Sequence, residues 1–472
     1  VPQPAVLLLS TSDTDLIAAR ASGAEFRWAN PSRLIDGELS ELLADADVVV
    51  VRILGGYRAW QDGIDAVVAS GLPTVVVSGE QAPDADLIER STVPAGIAMQ
   101  THIYLAQGGV ENLRQLHAFL ADTLLMTGFG FNPPAPTPVW GVLERAEAQG
   151  DGPTIAVLFY RAQQLAGNTS YIEALCTAIE HAGARALPVY CTSLRTPEPE
   201  LLDLLGTADA MVVTVLAAGG ARPATATAGN DDDGWDVKHL AALDVPILQG
   251  LCLTSSRATW AGNDDGLSPL DVATQVAVPE FDGRIITVPF SFKEIDDDGL
   301  IAYVPDPERC ARVAGLAVNY AMLRRVAPPD KRLALVFSAY PTKHSRIGNA
   351  VGLDTPASAV ALIAAMRDAG YRVGEVPGLE ARDGDALIHA LIERGGQDPD
   401  WLTQGQWEGN PIRVSARDYR AWFATLPREL ADPIVEHWGP PPGELFVDRS
   451  RDPEGEIVIA AMQSDNIVIV VQ

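Results

Sequence analysis

The 472-residue chain is poor in cysteine and in positive charge, and it has no long uninterrupted apolar run. Its four cysteines, Cys176, Cys191, Cys252 and Cys310, are far apart and form no CxxC pair. That excludes a cysteine-built zinc site and a disulfide framework, and it points to reduced, partly buried thiols in a cytoplasmic protein. Lys and Arg number 34 against 62 Asp and Glu, giving a net charge of −28. Such a field repels phosphate backbones and excludes nucleic acid as the expected partner. No apolar run is long enough to span a bilayer, and Ala5–Leu9 lacks the basic flank and cleavage signal of a secretory leader. Also missing are GxSxG, HExxH, a Walker A loop and a clean GxGxxG. The seven histidines show no HxxxH-type spacing, so no resident metal site is expected.

What is present is an alternation of short apolar runs with helical segments. The composition is 47% hydrophobic, enough to build sizeable cores. AVLLL at Ala5–Leu9, DVVVV at Asp47–Val51 and TVVV at Thr74–Val77 read as strands buried on both faces. Continuous rather than alternating apolar strands, separated by helices, imply parallel sheets covered on both sides. The same rhythm resumes at Thr154–Phe159, Ala186–Tyr190, Ala210–Val215, Pro246–Leu248 and Ile285–Phe290, and again at Leu333–Phe337 and Arg372–Val376. The expected fold is therefore multidomain α/β, with mostly parallel Rossmann-like or flavodoxin-like sheets flanked by helices. The proline-rich stretches Asn132–Pro136 and Ala327–Asp330 place boundaries that divide the chain into 1–135, 136–328 and 329–472. The third domain is expected to be cut short, because its last strand runs flush to Gln472.

Helical spacing predicts a long helix over Ala95–Met126, with Leu113, Leu116, Phe119 and Leu120 inward. It predicts another after Ser268-Pro269, with Val272, Val276 and Ala277 on one face, and one over Asp306–Val326 with Ala314, Ala317, Tyr320 and Leu323 inward. A helix is expected from Pro356, capped by Thr355. Trp401, Trp407 and Trp422 are expected to pack between irregular segments, and Glu456–Met462 with Asn466–Val471 to form a hairpin.

The polar loops after strands carry the candidate chemistry. Leu333–Asp354 runs from a strand into Lys343, His344, Arg346 and Asn349, with Gly348 and Gly352 allowing a close turn. Strand, cationic loop and helix N-terminus together suit an anionic group, and an ordinary solvated βα loop fits the same residues. Arg52–Tyr57, RILGGY, stands in the equivalent place after an earlier strand. Glu280 and Asp282 could form a working carboxylate pair or simply a surface turn; Asp231–Asp233 could hold a hard cation but more often mark a solvated loop. His344 could serve as a base or a ligand.

Three stretches, Thr154–Tyr190, Leu270–Glu294 and Pro341–Pro356, resemble the porphyrinoid-binding large subunits of the CobN/magnesium-chelatase H-subunit family. Gly167-Asn168-Thr169, Gly348-Asn349-Ala350, Ser10–Asp15 and Arg52–Gly56 resemble the cobalt branch. The resemblance covers essentially the whole chain. It implies ATP-dependent insertion of Co²⁺, as substrate, into hydrogenobyrinic acid a,c-diamide in cobalamin biosynthesis. ATP and Mg²⁺ would sit on partner AAA+ motor subunits. Members of the family are much longer, and an HLGKHG-type motif that they carry downstream does not occur before Gln472. The chain therefore reads as the N-terminal part of such a subunit, with the residues that handle metal and pyrrole protons beyond it and the fragment alone inactive.

Metal insertion removes two N–H protons and strips water from the cation, which calls for a general base and a water-poor cavity. A corrinoid also carries peripheral carboxylates, which arginine and lysine suit. Lys343, Arg346, Asn349, Arg52 and Asn168 are thus the substrate-binding candidates; Glu280, Asp282 and His344 are the candidates for proton or metal handling. The alternatives are a magnesium-chelatase large subunit, a non-catalytic α/β small-ligand-binding protein and a sugar-nucleotide transferase.

Overall fold

A computed structural model describes the chain except residues 1–3, 146–151, 220–236, 339–346, 349, 395–402, 411 and 472. The chain divides into two compact units, Val1–Met322 and Leu323–Gln472.

The first unit contains two sheets. One is four-stranded and wholly parallel, built from β1 (Val6–Ser10), β2 (Phe26–Ala29), β3 (Val48–Ile53) and β4 (Thr74–Ser78) in the order β2-β1-β3-β4. β1, β3 and β4 are buried along their whole length, β4 although it lies at the sheet edge, as expected of parallel strands with helices on both faces. The second sheet is seven-stranded. It consists of β5 (Trp140–Val142), β6 (Thr154–Tyr160), β7 (Arg185–Cys191), β8 (Ala210–Val213), β9 (Ile247–Leu253), β10 (Ile285–Ile295) and β11 (Ile301–Pro305), in the order β11-β10-β9-β8-β6-β7-β5. Its centre is parallel; β5 and β11 close the two edges antiparallel. The short strands Phe26–Ala29, Trp140–Val142 and Ile301–Pro305 escape the apolar-run criterion because each lies at an edge and keeps one side wet.

The parts of this unit that carry the two sheets share a core. Ala166 and Leu300, from the half that carries the second sheet, belong to the core of the first. Arg20 on helix Asp13–Ala21 reaches the β10–β11 turn and pairs with Asp296 at 2.6 Å. This joint places the carboxyl end of β1 beside the carboxyl end of β6, where α/β folds put ligands.

Helical stretches depart from expectation for local reasons. Ala95–Met126 is two helices, Ala95–Gln107 and Val110–Leu125, because Gly108 and Gly109 both take positive φ. Leu113, Leu116, Phe119 and Leu120 are buried as read. Past Ser268 the helix passes through a π segment, Val272–Ala277; the wider turn rotates the face, so Val276 packs inward while Val272 and Ala277 are exposed. Helix Pro307–Arg325 buries Cys310, Val313, Ala314, Ala317, Val318 and Ala321, leaving Tyr320 and Leu323 exposed.

The second unit holds two three-stranded sheets. β12 (Leu333–Phe337), β16 (Ala461–Ser464) and β17 (Ile467–Val471) form one in the order β12-β17-β16, with β12 parallel to β17. β13 (Ile412–Ser415), β14 (Val447–Asp448) and β15 (Glu456–Ile459) form the other, antiparallel in the order β13-β15-β14. The expected hairpin exists between β16 and β17, but the run 456–462 is shared between two sheets, changing sheet at Ala460. β12 is not a fully buried strand: its side chains alternate, and Val336 is 60% exposed. Arg372–Val376 is not a strand. Val373 and Val376 are buried, but Gly374 at φ +60° turns the chain out of an extended path. Helix Thr355–Asp368 is capped by Asp354, whose carboxylate accepts from Ala357 N–H, and Thr355 instead donates its hydroxyl to Gly348 O. Trp422 is 56% exposed rather than packed, and Trp401 lies outside the described residues.

Candidate functional site

The joint of the first unit holds two adjoining cavities. Both are reached from the loop after β1 and the segment after β6, and both are lined by Thr14 and Ala162.

The smaller, about 170 Å³, contains Asp15, Arg52 and Arg161 in its lining. Arg52 ends β3 as a buried residue. Its Nη1 donates to Asp15 Oδ1 at 2.7 Å and to Leu105 O at 3.0 Å; its Nε and Nη2 donate to Ser78 O and Gly79 O. Ser10 Oγ donates to the other oxygen of Asp15 at 2.6 Å. Burial pushes the Asp15 carboxyl upward, opposed by the Arg52 charge and the Ser10 hydroxyl. Arg161 donates to Pro138 O and Gln107 O, and burial pulls its guanidinium down. Both arginines in this cavity are thus engaged by the protein itself. Their geometry is that of a brace between the ends of β1, β3 and helix Ala95–Gln107.

The larger cavity, about 250 Å³, has Asp13, Thr14, Tyr160, Gln163, Asn168, Lys293 and Tyr303 among its lining residues. Asn168 is held by Tyr303 N–H, which donates to Asn168 Oδ1 at 3.2 Å. Gly167 precedes it at φ +70°, the left-handed turn that ends helix Arg161–Ala166 and lets the chain enter helix Ser170–His181. Lys293 and Tyr303 are directly opposed cross-strand neighbours on β10 and β11, so they share a face. Burial raises the Tyr303 phenol to about 12, so it is a neutral hydroxyl that can donate. Lys293 and Tyr303 were not legible as site residues. They sit inside strands, and no local motif marks them.

Glu280 and Asp282 do not act on a common point. Glu280 is exposed, whereas the Asp282 and Arg284 side chains are 0% exposed. Asp282 accepts from Ala218 N–H, Gly219 N–H and Arg284 Nη2, and Arg284 also donates to Val215 O and Gln249 Oε1. This is an internal clamp that ties the end of β8 to the turn before β10. Lys343, His344, Arg346, Asn349 and Asp231–Asp233 lie outside the described residues. At the edges of the first loop, Gly348 and Gly352 have φ +69° and +75°. His102, His117 and His239 each bond a backbone carbonyl, and no cluster of three metal-ligating side chains occurs among the described residues. The four cysteines are free and buried, and burial lifts Cys176, Cys191 and Cys310 to about 12. In the second unit a cavity of about 580 Å³ is lined by Trp407, Glu408, Glu444 and Asp448.

Residues 102–472 match the CobN/Magnesium Chelatase family. The chain belongs to that family. It is 32% identical to the aerobic cobaltochelatase subunit CobN of Pseudomonas aeruginosa, over 97% of this chain and 38% of that protein. To the magnesium-chelatase H-subunit of Rhodobacter capsulatus it is 25% identical, over 68% of this chain and 26% of that protein. Among solved structures, the catalytic subunit of cobaltochelatase from Mycobacterium tuberculosis is 72% identical with a TM-score of 0.83, covering 100% of this chain and 39% of that one. The chain thus spans well under half the length of these family members. The multi-sheet, mostly parallel α/β architecture read from the sequence is that of the family. No helix among the described residues is long and apolar enough to cross a membrane.

Proposed function

We propose that this chain is the N-terminal part of the porphyrinoid-binding subunit of a cobaltochelatase, which inserts Co²⁺ into hydrogenobyrinic acid a,c-diamide. The observation that carries this reading is the likeness of the whole chain, at 72% identity, to a cobaltochelatase catalytic subunit. Cobalt is favoured over magnesium because the cobalt-branch relatives match at 32–33% identity over more than nine-tenths of the chain, and the R. capsulatus magnesium-branch relative at 25% over 68%.

On this reading the enzyme is an ATP-dependent, cytoplasmic ligase. ATP and Mg²⁺ are handled by AAA+ motor subunits, and this chain contributes to holding the macrocycle. Lys343 and Arg346 would meet peripheral carboxylates, Arg346 as a bidentate fork and Lys343 as a point charge, with Asn349 beside them. Asn168, in the first unit, is a separate substrate-binding candidate. His344 stays a candidate for proton handling. Arg52, whose donors are engaged internally, would hold the scaffold and not the substrate.

Two measurements test the reading. The 472-residue chain, mixed with cobalt, ATP and motor subunits, is expected to give no turnover; chelation by it would show that the chemistry resides here. In the complete subunit, replacing Lys343 and Arg346 together with Ala is expected to weaken binding of hydrogenobyrinic acid a,c-diamide by at least about tenfold, as loss of charged hydrogen bonds does. Unchanged affinity would remove the gripping role, and preference for Mg²⁺ with a magnesium-branch porphyrin would move the chain to the other branch.

A further inference from the structure

The two cavities at the joint of the first unit differ in what their polar groups are doing. In the smaller one every cation already has an internal partner. In the larger one Lys293 Nζ has no hydrogen-bond or ion-pair partner among the described residues, although the residue is half-buried in the wall. Around it stand further donors without acceptors. Tyr303 presents a neutral hydroxyl; Asn168 has its oxygen engaged by Tyr303 N–H, leaving its NH₂ group, and Gln163 accepts from Tyr171 OH, leaving its own NH₂. Thr14 supplies a hydroxyl. The single carboxylate in the lining, Asp13, has its charge offset by Arg33, which with Asn30 bonds Oδ1, while Oδ2 keeps open acceptor capacity. A wall with one free ammonium and several free N–H and O–H donors, whose one carboxylate is offset by Arg33, is complementary to a small anion.

The shape of the supporting structure favours a carboxylate. Lys293 and Tyr303 are fixed by cross-strand pairing on β10 and β11, and Asn168 is fixed by its bond to the Tyr303 backbone, so the donors are set by the sheet and not by a loop. The space, about 250 Å³, is below the roughly 300–1,000 Å³ of sites that enclose a whole drug-sized ligand. It therefore suits an acid side arm, not a macrocycle. We propose that the Lys293–Tyr303–Asn168 cavity is a carboxylate-binding site. On the cobaltochelatase reading, on which this assignment of source rests, the carboxylate is a peripheral acid of the macrocycle whose ring lies outside the cavity; the other source is a free small dicarboxylate.

Calorimetry on the 472-residue chain separates these, with succinate and hydrogenobyrinic acid a,c-diamide as probes. The wild-type chain is expected to bind the macrocycle, Lys293→Gln to weaken that binding by at least about tenfold, and Lys293→Arg to restore most of it. Tyr303→Phe is expected to weaken it less, since a neutral donor is lost. Thermal unfolding of Lys293→Gln close to wild type shows that the fold is retained. If the macrocycle binds equally well to wild type and Lys293→Gln, the cavity proposal falls while the functional reading stands. If succinate binds in a Lys293-dependent way and the macrocycle does not, the site is a carboxylate site and the functional reading of this chain falls. Binding of neither probe at millimolar concentration overturns the proposal.

Discussion

Arg52 and Lys293 are both cations at the joint of the first unit, and they stand in opposite states. Arg52 ends a central parallel strand, is nearly closed to solvent and donates to one carboxylate and three backbone carbonyls. Lys293 lies on a strand near the sheet edge, half-exposed, with its ammonium free. The lesson is that a cation after a strand says little by itself. A buried guanidinium with every face occupied is a brace, because removing any partner leaves a desolvated charge. A half-exposed ammonium without a partner keeps its interaction energy for a ligand. The same contrast separates Asp282, clamped by Arg284 and two backbone N–H groups, from exposed Glu280 two residues earlier.

The sharpest way to break the comparison is to remove the cations one at a time. Arg52→Ala leaves Asp15 buried without its counter-charge and is expected to destabilise the first unit by about 3–5 kcal/mol, whereas Lys293→Ala should change stability by less than about 0.5 kcal/mol. Denaturant unfolding checks both. Equal effects would mean that Arg52 is not a brace or that Lys293 is not free.

The acidic pair is expected to follow with a smaller gap. Asp282→Ala strands Arg284 in the interior and should cost about 3 kcal/mol, while Glu280→Gln stays within about 0.5 kcal/mol. A neutral Asp282→Ala variant would restore the working-carboxylate reading for that turn.

The smallest effect concerns pH. Burial lowers the His117 pKa, and its Nε2 lies 2.9 Å from Pro4 O. The unfolded chain therefore binds the proton more readily than the folded one. His117 thus contributes stability that is present above its ordinary value of 6.5 and is lost as the pH falls through the lowered folded value. Melting temperatures of wild type and His117→Gln, compared at pH 7.5 and 5.5, should show a steeper acid loss for wild type. Parallel curves would remove His117 from the account.

Much of the scaffold was legible because buried parallel strands announce themselves as continuous Val, Leu and Ile runs. β1, β3, β4 and β6 were placed to within a residue or two. The π segment at Val272–Ala277 was not, since it leaves the apolar composition on which periodicity rests unchanged; the helix break is marked locally by Gly108-Gly109, a signal that apolar periodicity passes over. Arg372–Val376 looked like a strand because Val373 and Val376 are apolar. Their burial is real, but Gly374 denies them a ladder, and a Cβ there would collide with Ser464 Oγ. For the site, residue types marked Arg52 and Asn168, and both do line the joint. Only one keeps a free donor.

The sequence by itself determined the α/β class, the family and the loops at strand ends, because apolar runs and local motifs are properties of neighbours along the chain. The tertiary structure alone decided which polar groups remain available. Asp15 meets Arg52 across 37 positions, and Asn168 meets Tyr303 across 135. Whether a charge has a partner depends on such long-range pairings, which the packing of β1 against β3 and of β10 against β11 sets and local pattern cannot.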